Sequence, residues 1–107
     1  MRQIDLIKIY VDGSKTHGAA GHCGFMGTTF VNYSTILCEI DRETMTACLN
    51  VRKYSPTTSK IQTYLRDALT AAGFRIFEVM GDYANMWNAG YMGAPNLKAS
   101  DFRPIGK

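Results

Sequence analysis

The chain of 107 residues is 46% hydrophobic and 20% charged, which is typical of a single globular domain over residues 1–107 and excludes an intrinsically disordered chain. Its formal net charge of +3 falls short of the dense basic stripe that marks a dedicated DNA-binding protein. Three cysteines, an odd number, and the lack of a long apolar run argue against a secreted disulfide scaffold and a membrane span, so we expect a cytoplasmic protein.

The first predicted element is a strand over residues 4–11. Ile7, Ile9 and Val11 alternate along it and would share one face. A loop is expected over residues 12–27. Its many glycines indicate either mobility or a backbone that passes close to another group; they are Gly13, Gly18, Gly21, Gly24 and Gly27.

Residues 28–41 predict one long strand, because they are rich in Thr, Val, Ile and Phe. After a short turn, residues 44–54 predict a second strand that completes an antiparallel hairpin. Its inward-facing side chains are expected to be Met45, Ala47, Leu49 and Val51. Matching the two core faces places Leu37 opposite Leu49. The same register makes Cys38 and Cys48 cross-strand neighbours, which we expect to be free thiols in a reducing compartment.

A helix follows the hairpin. Its apolar residues recur at the spacing of an amphipathic helix, at Ile61, Tyr64, Leu65, Ala68, Leu69 and Ala72. Ser55 can cap its first turn, Pro56 suits its first position and Gly73 can end it. A short strand over residues 74–80 completes the order β-β-β-α-β. The predicted fold is therefore α+β, with a small antiparallel sheet and one amphipathic helix packed on one face.

The remaining segment, residues 81–107, predicts an irregular tail. It carries aromatic and methionine side chains of the kind enriched at protein interfaces, at Tyr83, Met86, Trp87, Tyr91 and Met92. The same side chains could instead cover the open face of the sheet, and the sequence leaves both alternatives open. Exposed strand edges make a homodimer a further expectation.

Two stretches share a recognisable pattern. Residues 28–35 read T-T-F-V-N-Y-S-T, and residues 53–60 read K-Y-S-P-T-T-S-K at the start of the predicted helix. Together they resemble a family of small accessory proteins of bacteriophages and plasmids, over about residues 28–65. The resemblance implies a viral accessory protein in an infected bacterial host.

The start of the helix is a candidate anion site. Hydroxyl groups, the positive end of the helix dipole and two lysines could together hold a phosphate or carboxylate. The residues concerned are Lys53, Tyr54, Ser55, Thr57, Thr58, Ser59 and Lys60. Ordinary capping of the helix by these hydroxyls is the alternative. No glycine-rich P-loop precedes them, which disfavours a nucleoside triphosphatase.

Catalytic and metal chemistry have weak support in the sequence. His17, His22 and Cys23 lie close together in the chain, but their spacing does not match a zinc site. A pairing of Cys23 with either histidine lacks an orienting acid and oxyanion donors. We therefore expect no enzyme, no metal and no cofactor.

Two functions of different classes follow. The first is a non-enzymatic accessory protein that binds a bacterial host protein or complex, such as a defence component, and inhibits or redirects it in the manner of an anti-CRISPR. The alternative is a binder of a phosphate-bearing ligand, either a nucleotide signal or a nucleic-acid backbone, at the start of the helix. Arg52 would then add charge to that site.

Overall fold

The computed structural model describes residues 1–33 and 35–79. This part of the chain contains two helices, α1 (Gln3–Asp12) and α2 (Pro56–Ala71). It also contains six strands, which are β1 (His17–Ala20), β2 (Cys23–Met26), β3 (Thr29–Asn32), β4 (Thr35–Asp41), β5 (Thr46–Asn50) and β6 (Arg75–Val79). The tail predicted over residues 81–107 lies outside the described residues.

The six strands form one sheet whose spatial order follows the chain, from β1 to β6. The neighbours from β1 to β5 are antiparallel, whereas β6 runs parallel to β5. The prediction of a purely antiparallel sheet is wrong for β6, because α2 returns the chain to the end of the sheet where β5 began. α1 packs against β1 and β2, α2 packs against β5 and β6, and the helices contact each other. The predicted α+β class, with helical packing on one face of a sheet, is confirmed.

Residues 4–11, predicted as a strand, form most of α1. The buried side chains are those that share one helical face, at Leu6, Ile7, Tyr10 and Val11. The fully buried Tyr10 hydroxyl donates a 2.7 Å hydrogen bond to the carbonyl of Thr28. Its ring packs against Phe25 and Phe30, at centroid distances of 5.4 and 5.2 Å. These contacts require a helical spacing of the apolar residues, and they override the strand preference of the isoleucines.

The predicted loop over residues 12–27 consists largely of the β1–β2 hairpin. Gly21 turns the chain with a φ of 59°, a conformation that few other residues adopt readily. Gly18 serves a different purpose, because a Cβ atom there would lie 2.9 Å from Cδ1 of Leu6. The glycines therefore allow a tight turn and a close approach between the hairpin and α1.

The single strand predicted over residues 28–41 is two strands, β3 and β4, separated by a turn that includes Tyr33. Phe30 pairs with Cys38 but the next residue pairs with Ile36, so that Leu37 is left over at a β-bulge. Both Leu37 and Cys38 join the hydrophobic core.

The bulge explains why the predicted register between β4 and β5 is wrong by one residue. That prediction assumed strict alternation of buried side chains, which the bulge interrupts. Leu49 pairs with Cys38 rather than with Leu37, and Cys48 pairs with Glu39. Met45, predicted to face inward, lies in the preceding turn and is 37% exposed.

Helix α2 begins and ends as predicted. Ser55 is its N-cap, Pro56 its first residue and Gly73 a left-handed residue beyond its end, with a φ of 89°. The buried face extends one turn further toward the N-terminus than the apolar pattern predicted, because Thr58 is buried. Gln62, a polar residue within the predicted stretch, is buried as well.

Candidate functional site

An open cleft with a volume of about 290 Å³ lies where the β3–β4 turn meets the start of α2. Six side chains line it, and all of them are uncharged: Asn32, Tyr33, Thr35, Tyr54, Ser55 and Thr58. All six belong to residues 28–35 and 53–60, the two stretches singled out by their sequence pattern. The fold thus brings two stretches that are separate in sequence to one place on the surface.

The floor of the cleft is a hydrogen-bonded pair of buried polar side chains. Asn32 is 3% exposed and Thr58 is 6% exposed. The Asn32 amide donates to the Thr58 hydroxyl at 2.9 Å, and its carbonyl oxygen faces the Cys23 thiol at 3.5 Å. Because the partners come from β2, β3 and α2, this network joins the start of α2 to the sheet at the floor of the cleft.

Ser55 acts as a helix cap within the cleft. Its hydroxyl oxygen accepts a hydrogen bond from the Thr58 backbone N–H at 3.2 Å, and it donates to the Thr58 side chain at 3.1 Å. Capping, the alternative to an anion cradle, therefore describes the Ser55 hydroxyl in this structure, whereas the Thr58 hydroxyl accepts hydrogen bonds from Ser55 and Asn32.

The seven residues of the predicted anion site divide into two groups. Tyr54, Ser55 and Thr58 line the cleft, whereas Lys53, Thr57, Ser59 and Lys60 do not. Lys53, Thr57 and Lys60 are exposed to solvent, and Ser59 is half-buried. The charge of this region therefore lies outside the cleft rather than within it.

Tyr33 forms one wall of the cleft and is the main residue that the analysis of the sequence missed. Its φ of 57° is unusual for an aromatic residue, and its side chain is 65% exposed. Two contacts with His22 hold it: the Tyr33 N–H donates to the His22 carbonyl at 2.7 Å, and the two rings stack at 4.3 Å with an interplanar angle of 16°. The available signal is the Asn-Tyr pair in the first stretch, but it lies in a segment whose composition predicts a continuous strand.

Tyr54 is also held in place. Its hydroxyl accepts a 2.8 Å hydrogen bond from the Asn50 amide, and the Arg52 guanidinium lies 6.0 Å from the centre of its ring. The Gln62 amide donates to the carbonyls of Asn50 and Arg52, at 2.7 and 2.9 Å, and so fixes the backbone that leads into Tyr54. The buried Gln62 thus supports a cleft residue from the second turn of α2.

The histidine and cysteine residues do not form the pairs considered from the sequence. Cys23 contacts Asn32, while His22 stacks on Tyr33. All three cysteines are free and buried. Burial raises the pKa of each thiol, that of Cys48 to about 12, so the reactive thiolate is scarce at neutral pH. Within residues 1–33 and 35–79, no three His, Cys, Asp or Glu side chains come together as a metal site.

One buried carboxylate, that of Glu39, lies on the sheet opposite Cys48 and outside the cleft. Glu39 is 3% exposed, and the hydroxyls of Thr28 and Thr29 both donate to it. Burial raises the pKa of Glu39, while these two hydrogen bonds act in the opposite direction and favour the ionised form. Glu39 is not among the residues that line the cleft.

Comparison of the chain with known protein families, with curated proteins and with solved structures finds no match. Among the described residues, neither helix is long and apolar enough to cross a membrane. The predicted interface side chains, from Tyr83 to Met92, lie outside the described residues.

Proposed function

We propose that this chain is a non-enzymatic binding protein whose cleft between Tyr33 and Tyr54 takes a phosphate-bearing ligand, either a nucleotide signal or part of a nucleic acid. The observation that carries the proposal is the construction of the cleft. Its walls are two tyrosines held in place by residues outside it, and its floor is a buried polar pair. Side chains fixed in advance lose little conformational entropy on binding, which favours affinity.

The charges around the cleft support an anionic ligand. No acidic residue lines it, and three exposed cations lie on either side of its Tyr54–Thr58 segment in the chain: Arg52, Lys53 and Lys60. The positive end of the α2 dipole adds to the attraction for negative charge. Since these cations are exposed, their contribution should weaken as salt screens it.

The test is the affinity for a set of nucleoside monophosphates at increasing salt concentration, measured by isothermal titration calorimetry. We expect affinity to fall with salt, and to fall also in Lys53→Ala and Lys60→Ala. Lys15→Ala is the matched control, because Lys15 lies at the other end of the β1–β2 hairpin from His22. At that end the carbonyl of Thr16, the residue after Lys15, accepts a hydrogen bond from the Gly27 N–H. An affinity that does not change with salt concentration, or in either Lys53→Ala or Lys60→Ala, would contradict a phosphate-bearing ligand.

The second candidate is the binding of a bacterial host protein or complex, such as a defence component, by an accessory protein of the bacteriophage type. The exposure of Tyr33 favours it, because exposed tyrosines are frequent anchors of protein interfaces. The proposed interface adds the tail residues Tyr83, Met86, Trp87, Tyr91 and Met92. Sequestration of a nucleotide signal would silence a defence system as well, so the two candidates can serve one biological role.

Capture of a protein from a bacterial lysate tests this second candidate. We expect Trp87→Ala, Tyr91→Ala and Tyr33→Ala to reduce the amount of partner recovered without loss of folded protein. Met26→Ala is the control, because Met26 is 78% exposed at the opposite end of β2 from the cleft. Full recovery of the partner by all three variants would exclude this interface.

A further inference from the structure

The walls of the cleft carry more information about its ligand than the helix terminus does. Tyr33 lines the cleft, but His22, which stacks on its ring, does not. One face of the Tyr33 ring is therefore covered by His22, and the part that lines the cleft remains available to a ligand. A ring supported from behind by a second ring is a rigid surface on which a flat ligand can stack.

The backbone conformation of Tyr33 is a second indication that this residue serves binding. A left-handed φ is costly for a residue with a bulky side chain, and such conformations cluster at functional sites. Asparagine or glycine would occupy this position with less strain. The tyrosine is 65% exposed and does not belong to the hydrophobic core, so its ring contributes little to folding there.

Besides Tyr33, the cleft lining offers a second aromatic ring, that of Tyr54, and several groups that can donate or accept hydrogen bonds. The Tyr54 hydroxyl accepts from Asn50, which leaves its own proton free to be donated to a ligand. Thr35, also in the lining, supplies a further hydroxyl. An uncharged lining of this kind suits a neutral, planar group with polar edges, and the cations outside the cleft suit an attached phosphate.

We propose that the ligand is recognised through a nucleobase, which stacks on Tyr33 while its phosphate meets the cations around Arg52. This inference rests on the proposed function and names the part of the ligand that determines affinity. Base stacking on aromatic side chains tolerates different bases, so we expect a modest preference among them. The same chemistry would serve a free nucleotide or a base in a single strand.

Calorimetric titration with adenosine, AMP and ribose phosphate separates the two parts of the ligand. We expect AMP to bind most tightly, adenosine to retain measurable affinity and ribose phosphate to bind much more weakly. If ribose phosphate binds as tightly as AMP, the nucleobase inference is overturned while the phosphate-binding function stands. If none of the three binds, and GMP, CMP and UMP also fail, both are overturned.

A set of variants at one position then tests the stacking surface. Tyr33→Asn removes the ring and suits the left-handed backbone, so the protein should remain folded. We expect it to weaken AMP binding on the order of ten-fold to one-hundred-fold, while Tyr33→Phe keeps the affinity within a few-fold. His22→Ala should weaken binding less, because His22 positions Tyr33 without lining the cleft. Unchanged affinity in a folded Tyr33→Asn protein would overturn the inference.

A short single-stranded oligonucleotide identifies the source of the base. Affinity that rises with oligonucleotide length, and that depends on Tyr33 in the same way, would support the inference with a nucleic-acid strand as the ligand. An affinity no greater than that of AMP would support it with a free nucleotide. Affinity for the strand that survives Tyr33→Asn would overturn it, because the backbone phosphates alone would then account for binding.

Discussion

Helices α1 and α2 lie on the same face of one sheet but are held there by different kinds of contact. The first turn of α2 is capped by its own Ser55. α1 has no side-chain cap at its N-terminus. Two carbonyls of its last turn, those of Tyr10 and Val11, accept hydrogen bonds from Arg42 in the turn between β4 and β5. α2 is therefore specified mainly by neighbouring residues, whereas α1 depends on distant parts of the chain.

The C-terminal end of α1 is also shaped by its contact with Arg42. Gly13 follows the helix with a φ of 80°, and its N–H donates to the Ile9 carbonyl at 2.9 Å. A Cβ atom at this position would lie 2.9 Å from Cζ of Arg42. Glycine is thus required both for the left-handed backbone and for room beside the guanidinium group. The comparison predicts that substitutions far from α1 should loosen it, while α2 should respond most to changes in its own residues.

The largest expected effect comes from removing the side chain that anchors α1. Tyr10→Ala should lower the free energy of unfolding by about 3–5 kcal/mol, because it leaves a cavity beside Phe25 and Phe30. Tyr10→Phe keeps the ring and loses only the hydrogen bond to Thr28, at a cost of about 1–3 kcal/mol. Urea denaturation measures both. Equal losses in the two variants would show that packing of the ring contributes little.

The next largest effect is expected when the hydrogen bonds from Arg42 to the last turn of α1 are lost. Arg42→Ala should lower the free energy of unfolding by about 1.5–3 kcal/mol, the typical contribution of hydrogen bonds that involve a charged group. Hydrogen exchange should locate the change in the last turn of α1 rather than in α2. Arg42→Lys serves as the control, since it keeps one charge but cannot reach both carbonyls in the same way. Faster exchange in α2 than in α1 would contradict the comparison.

A smaller loss is expected at the local cap of α2. Ser55→Ala should cost about 1 kcal/mol, and Ser55→Asp should retain most of the stability because aspartate is also a good N-cap. Ser55→Asp also places a negative charge in the lining of the cleft, so it should weaken the binding of AMP more than that of adenosine. Thermal unfolding and calorimetry together measure the two effects. A stable Ser55→Asp protein with unchanged affinity for AMP would place the phosphate elsewhere.

The smallest effect is expected where α2 meets the edge of the sheet. Arg66 forms an ion pair with Glu78 of β6, and the Arg66 side chain is 45% exposed. Arg66→Ala should therefore cost about 0.2–1 kcal/mol at low salt and less at high salt. Chemical denaturation at two salt concentrations provides the measurement. A cost that does not change with salt would indicate a packing role for Arg66 instead of an electrostatic one.

The same contrast explains how much of the fold could be predicted from the sequence. The start and end of α2 were predicted correctly, because Ser55, Pro56 and Gly73 act within one or two residues of the positions they mark. The element before β1 was assigned wrongly, because the local alternation of isoleucines favours a strand, while Tyr10 and Arg42 stabilise a helix through contacts with distant strands. Local patterns cannot contain that information.

Some residues of the candidate site can likewise be located from local sequence signals, whereas others depend on contacts between distant segments. Tyr54, Ser55 and Thr58 could be located from the sequence because they precede or open a recognisable helix. Tyr33 could not, because the turn in which it lies interrupts a stretch whose composition is that of a continuous strand. The cleft itself exists only when the β3–β4 turn meets α2, and the Asn32–Thr58 hydrogen bond that joins them has no signature in either segment alone.

Binding of a nucleobase-bearing ligand in the cleft is the central claim, and mapping of backbone amide shifts by NMR during titration with AMP tests it most directly. The largest shifts are predicted at Tyr33, Tyr54 and Thr58, with smaller ones at His22. The far end of the sheet, around Met26 and Arg42, should show no change. Saturable shifts confined to the far end, or no shifts at any AMP concentration, would contradict the claim.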